Sequence, residues 1–183
     1  MNNDKLYCQG EDVKDFEISL TEESISNYRQ QPVTQEVIEE ILQDAMESSS
    51  RDSSKLWQFV VITDVDVLCR VAEINPDAAM VSQSLIAVLV CGDRSLETVP
   101  GGWVGECSTV AHNLLPAAHH KGLAAVLVGI HPEEDRKEKI RNLFGLPEHI
   151  MPHTLLMLGY PAHKVSVGEK LKSGRIHYNS WER

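Results

Sequence analysis

Histidine and cysteine are the first side chains to test for nucleophilic or metal chemistry in this 183-residue chain, which has eight of the first and four of the second. His112 and His119 lie seven apart and share a helix face, and His149 and His153 lie four apart in PEHIMPH. No cysteine or carboxylate joins either pair at the spacing of a zinc site, so these side chains read as solvated or core-capping histidines, with no metal expected. A Cys107–His112 nucleophile would need a third orienting group and a lowered thiol pKa, and the sequence offers neither. Cys8, Cys69, Cys91 and Cys107 contain no CxxC pair, and two of them sit in apolar runs where buried thiols are common. That usage fits a reducing cytoplasm. GxGxxG, Walker, GxSxG and HExxH motifs are absent from the sequence, which removes the best signals for dinucleotide folds, P-loop enzymes, serine hydrolases and zincins.

Charge narrows the partners. The formal net charge of -10 is spread along the chain without a Lys/Arg-rich block, so its long-range field repels nucleic acid and anionic lipid. A phosphate-bearing ligand must therefore be held by a local site. No leader pattern opens the chain, and no uncharged apolar run approaches the roughly 18 residues that span a bilayer. The expectation is a soluble protein with neither nucleic acid nor membrane as a partner.

Any site has to be positioned by the elements around the stretch Gly105 to Ile130. Val110, Ala111, Leu114, Leu115 and Ala118 recur at helical spacing, and Gly122 can end the helix, which predicts a helix from about Ser108 to Lys121. Pro116 lies inside it and predicts a kink, because it removes a backbone hydrogen bond at a cost of about 3 kcal/mol in a straight helix. Leu123 to Val128 then reads as a strand covered on both faces. Upstream, residues 1–20 read as a polar arm, and Thr34 caps a helix striped by Val37, Ile38, Ile41, Leu42, Ala45 and Met46. The polar loop SSSRDSSK leads into a strand at Trp57 to Ile62. Thr63 or Asp64 caps the next helix, which Asn75-Pro76 ends. Leu85 to Cys91 is a second buried strand, Gly92-Asp93 its turn, and Arg94 to Trp103 a loop. Pro132 is placed at the first position of a helix that begins acidic, turns basic and stops at Gly145. Thr154 to Leu158 is the last strand. The tail from Ala162 to Arg183 has no core stripe. Strands separated by helices predict a mixed or parallel central sheet with helices on both faces, in a single domain from residue 21 onward.

Five segments, taken in order, resemble the nitroreductase family of FMN-dependent oxidoreductases: SNYRQQPVTQEVIEEILQDAMESSS, LWQFVVITD, GECSTVAHNLLPAAHHKGLAAVLVGI, LFGLPEHIMPHTLLMLGYPAH and GRIHYNSW. The likeness covers about residues 22 to 181. It implies an α+β three-layer fold in an intertwined homodimer, with the central helix in the interface and residues 162–183 wrapped on the partner. It also implies FMN in a cleft built by both subunits, NADH or NADPH as reductant, and a nitroaromatic, quinone or similar small molecule as acceptor. Trp103, Glu106 and Asn113 would border the acceptor pocket. A second reading is a non-catalytic dimer of the same fold that binds flavin weakly, or another planar ligand.

The resemblance also assigns cofactor-binding positions. Where the family carries Arg-x-Ser-x-Arg against the FMN phosphate, this chain has Glu23, Ser24, Ile25 and Ser26, and Lys170 falls near a further phosphate-facing base. Where the family bonds the flavin ring with a Pro-Ser, an Asn and Gln-Pro-Trp, this chain has Ser50, Ser53 and Lys55 before Trp57. Lys55 would set a cation near the pyrimidine edge, where reduction leaves negative charge. Val128 and Gly129 would offer backbone groups to the ring at the end of the central strand.

Overall fold

The computed structural model describes residues 28–48, 55–78 and 86–162. Helix α1 spans Gln35–Glu47, and its cap is Thr34, whose hydroxyl accepts from the Val37 N–H at 3.5 Å. Strand β1 is Trp57–Ile62. Helix α2, Val65–Ile74, is capped by Asp64, whose carboxylate takes the N–H groups of Asp66 and Val67, and Asn75 closes it. Strand β2 is Ile86–Asp93. After a single 3-10 turn, α3 spans Gly102–His120, β3 Ala124–Gly129, α4 Glu134–Phe144 and β4 Ile150–Gly159.

The four strands lie in the order β1-β2-β4-β3, and each pairing is antiparallel. Among the described residues the sheet is thus antiparallel where a mixed or parallel one was expected, and the α+β class holds. The burial pattern had pointed the other way because helices cover both faces, and composition records burial without recording strand direction. Alternation along the strands sends Val88, Val90, Leu156 and Leu158 to the layer of α1 and α3, where Ile38, Ile41 and Leu114 meet them. Ala87, Leu89, Leu155 and Met157 face the layer of α2 and α4, against Leu68, Val71 and Ile140. The result is three layers with a core on each side of the sheet.

Several boundaries differ from the sequence expectation. Helix α3 starts at Gly102, six residues earlier than predicted, so that Trp103 and Cys107 join the core. Gly92-Asp93 belongs to β2 rather than to a turn. Strand β4 begins at Ile150, four residues before the expected Thr154. Pro132 stands ahead of the cap residue Glu133 instead of at the first helical position. Helix α3 runs on through Pro116, whose position is exposed. Cys91 and Cys107 are free and buried, whereas Cys69 on α2 is disulfide-bonded, against the expectation of reduced thiols. Among the described residues no helix is long and apolar enough to cross a membrane.

Candidate active site

Antiparallel pairing brings the starts of β1 and β4 and the ends of β2 and β3 to one end of the sheet: Trp57 pairs with Gly92, Gly92 with Met151, and Gly129 with Thr154. Of the predicted cofactor-binding residues, Lys55, Val128 and Gly129 all lie at this end. Lys55 precedes one edge strand and Gly129 ends the other, about 14 Å away across three strand spacings. Lys55 is exposed and has a φ of 49°, a left-handed conformation that few non-glycine residues adopt. The next residue is anchored from α3, where the Glu106 carboxylate accepts from the Leu56 N–H at 3.3 Å. Glu23, Ser24, Ser26, Ser50, Ser53 and Lys170 lie outside the described residues.

At the opposite edge the geometry of Gly129 follows from the ladder. Ile130 donates to the His153 carbonyl at 3.0 Å, the bond that flanks a non-bonded pair, so Gly129–Thr154 is a non-bonded pair of the ladder. A residue in a non-bonded pair turns both its N–H and its C=O away from the neighbouring strand. Gly129 therefore directs both groups outward from the edge of β3. Its carbonyl accepts from Asn75 Nδ2 at 3.2 Å and from Arg136 Nη1 at 2.9 Å, while Arg136 Nη2 reaches Asp77 at 3.1 Å. Thr154 Oγ1 donates to the Val128 carbonyl at 2.9 Å.

Beneath this end, on the α3 face, the Trp103 indole meets the imidazoles of His131 and His153 edge-on at 5.2 and 5.9 Å, and the two imidazoles stack at 6.0 Å. Ser108 donates its hydroxyl hydrogen to the Val104 carbonyl at 2.8 Å, so the 3.2 Å contact with His153 requires His153 Nε2 to carry a proton. Burial, with His131 and His112 adding to it, pushes the His153 pKa down to about 4. Burial also lowers that of His131. The unfolded chain takes up these protons near pH 6.5 and the folded one only well below it, so stability is complete above about pH 6.5 and is lost progressively as the pH falls toward 4. Urea midpoints measured across that window should drop with pH in the wild type and flatten in His153→Gln. An equally steep wild-type and variant curve would contradict the assignment.

The three residues expected to border an acceptor pocket all lie on α3. Glu106 holds the entry to β1, Trp103 is 6% exposed, and Asn113 Nδ2 donates to the Ala45 carbonyl of α1 at 3.3 Å. Asn113 also lines a cavity of about 430 Å³ between α1 and α3 with Asp44, Glu47 and His120. Burial pushes the Cys107 thiol up to about 12, and His112 Nδ1 is bonded to the Ser108 carbonyl at 2.8 Å, so the two make no nucleophile pair. Among the described residues no three His, Cys, Asp or Glu side chains gather as a metal site. Asn75, Arg136, Thr154 and His131 were not found by spacing, because they converge from α2, α4, β4 and the turn after β3. Their only local signal is proximity to the ends of predicted elements.

Comparison with known proteins places this geometry among relatives. The model of the nitroreductase family matches residues 22–90 and 102–160. A Methanothermobacter thermautotrophicus protein, provisionally named an NADH dehydrogenase/NAD(P)H nitroreductase, is 41% identical over 166 residues, 91% of this chain and 87% of that one. The crystal structure of a Parabacteroides distasonis protein with the same provisional name superposes with a TM-score of 0.80 at 35% identity, covering 86% of this chain and 93% of that one. A Bacillus subtilis FMN reductase that uses NAD(P)H is 21% identical over 180 residues, 87% of this chain and 71% of its own.

Proposed function

The chain belongs to the nitroreductase family, and from that premise we propose that it is an FMN-dependent oxidoreductase that takes electrons from NADH or NADPH and gives them to a nitroaromatic, quinone or similar small acceptor. It works as an intertwined homodimer; the tail expected to wrap the partner, from residue 163 onward, lies outside the described residues. The observation that carries this reading is the backbone of Gly129, which faces outward from the sheet edge at the position where the family offers backbone groups to the flavin.

The residues present fit such a ring. Gly129 is exposed and has no side chain, and the nearest atom to a Cβ built there is the His131 carbonyl oxygen at 3.7 Å, so a flat ligand can approach the strand end. Its N–H would donate to an acceptor atom on the ring edge. Lys55, held exposed at the other edge, would offset the negative charge that reduction adds. When bound, FMN supplies the redox chemistry, accepting a hydride from the nicotinamide cofactor and releasing it to the acceptor. The protons required afterwards come from water. Glu23, standing at a family arginine position, favours one competing reading, a non-catalytic dimer that binds flavin weakly or takes another planar ligand.

Colour separates the two. Protein purified without added flavin should be yellow and should bleach on addition of NADH or NADPH. It should also melt higher with excess FMN, since a ligand bound only to the native state raises stability. A colourless preparation with an FMN-independent melting temperature would overturn the proposal.

A further inference from the structure

We propose that Thr154, Asn75 and Arg136 are positioning residues that lock the two peptides flanking Gly129, so that its N–H is held out and polarised toward the edge of the bound flavin. This rests on the functional reading above and adds three side chains to it.

Each peptide is fixed by different groups. In the Val128–Gly129 peptide the carbonyl accepts from the Thr154 hydroxyl at 2.9 Å, and Thr154 is 6% exposed, so this bond is shielded from water. A carbonyl that accepts hydrogen bonds makes the N–H of the same peptide a better donor, and here that N–H is Gly129's. In the Gly129–Ile130 peptide the carbonyl takes both the Asn75 amide and the Arg136 guanidinium, and the N–H is spent on the His153 carbonyl. Asn75 is 1% exposed, and Asp77 restrains Arg136 through its second nitrogen. Glycine left to itself is the most mobile residue of a strand end. Pinning both neighbouring peptides removes that freedom while leaving the Gly129 N–H directed outward by the ladder. Arg136 adds a cation one peptide away, which favours the flavin state with more negative charge.

Thr154→Val keeps the side-chain shape and removes the hydroxyl, and Arg136→Gln removes the charge. Each should raise the FMN dissociation constant about fivefold to twentyfold and shift the midpoint potential of the bound flavin to more negative values. Arg136→Lys, which can still reach the Gly129 carbonyl, should recover part of both. The melting temperature of the flavin-free protein is the control. Variants with lower melting temperature but wild-type affinity and potential would show a purely structural role and overturn the inference, as would variants indistinguishable from wild type. Wild-type protein that takes up no FMN would instead overturn the functional reading, and this one with it.

Discussion

Gly92→Ala destabilises the protein by about 2–3 kcal/mol, far above the cost of an ordinary surface change, because it overpacks a closed site. A Cβ at Gly92 would stand 2.5 Å from Trp103 Cε3, 3.1 Å from Cδ2 and 3.2 Å from Cys107 Sγ. Cys107 is fully buried and cannot withdraw. Trp103 is blocked at its edges by His131 and His153, and its backbone N–H is held by the Glu97 carboxylate at 3.3 Å. The first turn of α3 must therefore move as a unit. Urea denaturation should show a lower midpoint for Gly92→Ala, and adding Trp103→Leu should give a double variant more stable than the sum of the two single losses. Were Gly92 the turn residue suggested by the sequence, alanine would cost little, so a wild-type midpoint in Gly92→Ala would place Trp103 elsewhere.

What was legible in the sequence was whatever a few neighbouring residues decide. Thr34 and the alternatives Thr63 or Asp64 announced helix starts because a short polar side chain can take an orphan N–H two or three residues on, and the structure uses Thr34 and Asp64 in this way. Gly122 and Gly145 marked helix ends, and both have left-handed φ values, 74° and 61°. The start of α3 was not legible. Its N-cap Gly101 has no side chain, Pro100-Gly101-Gly102 reads as a loop, and its first turn is held by the Glu97 carboxylate on the Trp103 N–H and by the packing of Trp103 on Gly92. Strand β4 begins four residues before the expected Thr154 and so takes in Pro152, which lacks the ladder N–H. In the fold Pro152 sits at the register shift beside Val90 and Cys91, where a proline is tolerated. The same division holds for the site. Val128 and Gly129 entered the candidate site through a resemblance that spans one continuous segment. Asn75 and Thr154 approach that segment from 54 and 26 residues away in the chain, and no local spacing can record such a meeting.

Glu23→Arg tightens FMN binding about tenfold to hundredfold at low salt, an effect of about 1.4–2.8 kcal/mol. The resemblance sets Glu23 where relatives place a phosphate-clamping arginine, and a carboxylate there repels a dianion that the net charge of -10 already disfavours. Replacing it with arginine removes one repulsion and adds a charge-assisted, potentially bidentate bond. Glu23→Gln should yield only the first part, so its gain should fall between wild type and Glu23→Arg. Both gains should shrink as ionic strength rises and the charges are screened. Riboflavin, which has the same ring without the phosphate, separates this from a general effect on the pocket: its affinity should be the same in all three proteins. Fluorescence titrations with FMN and riboflavin at two salt concentrations measure every term. An FMN affinity unchanged by the arginine, or an equal gain for riboflavin, would mean that residue 23 does not face the phosphate and that the tail of the cofactor is held by other groups of this chain.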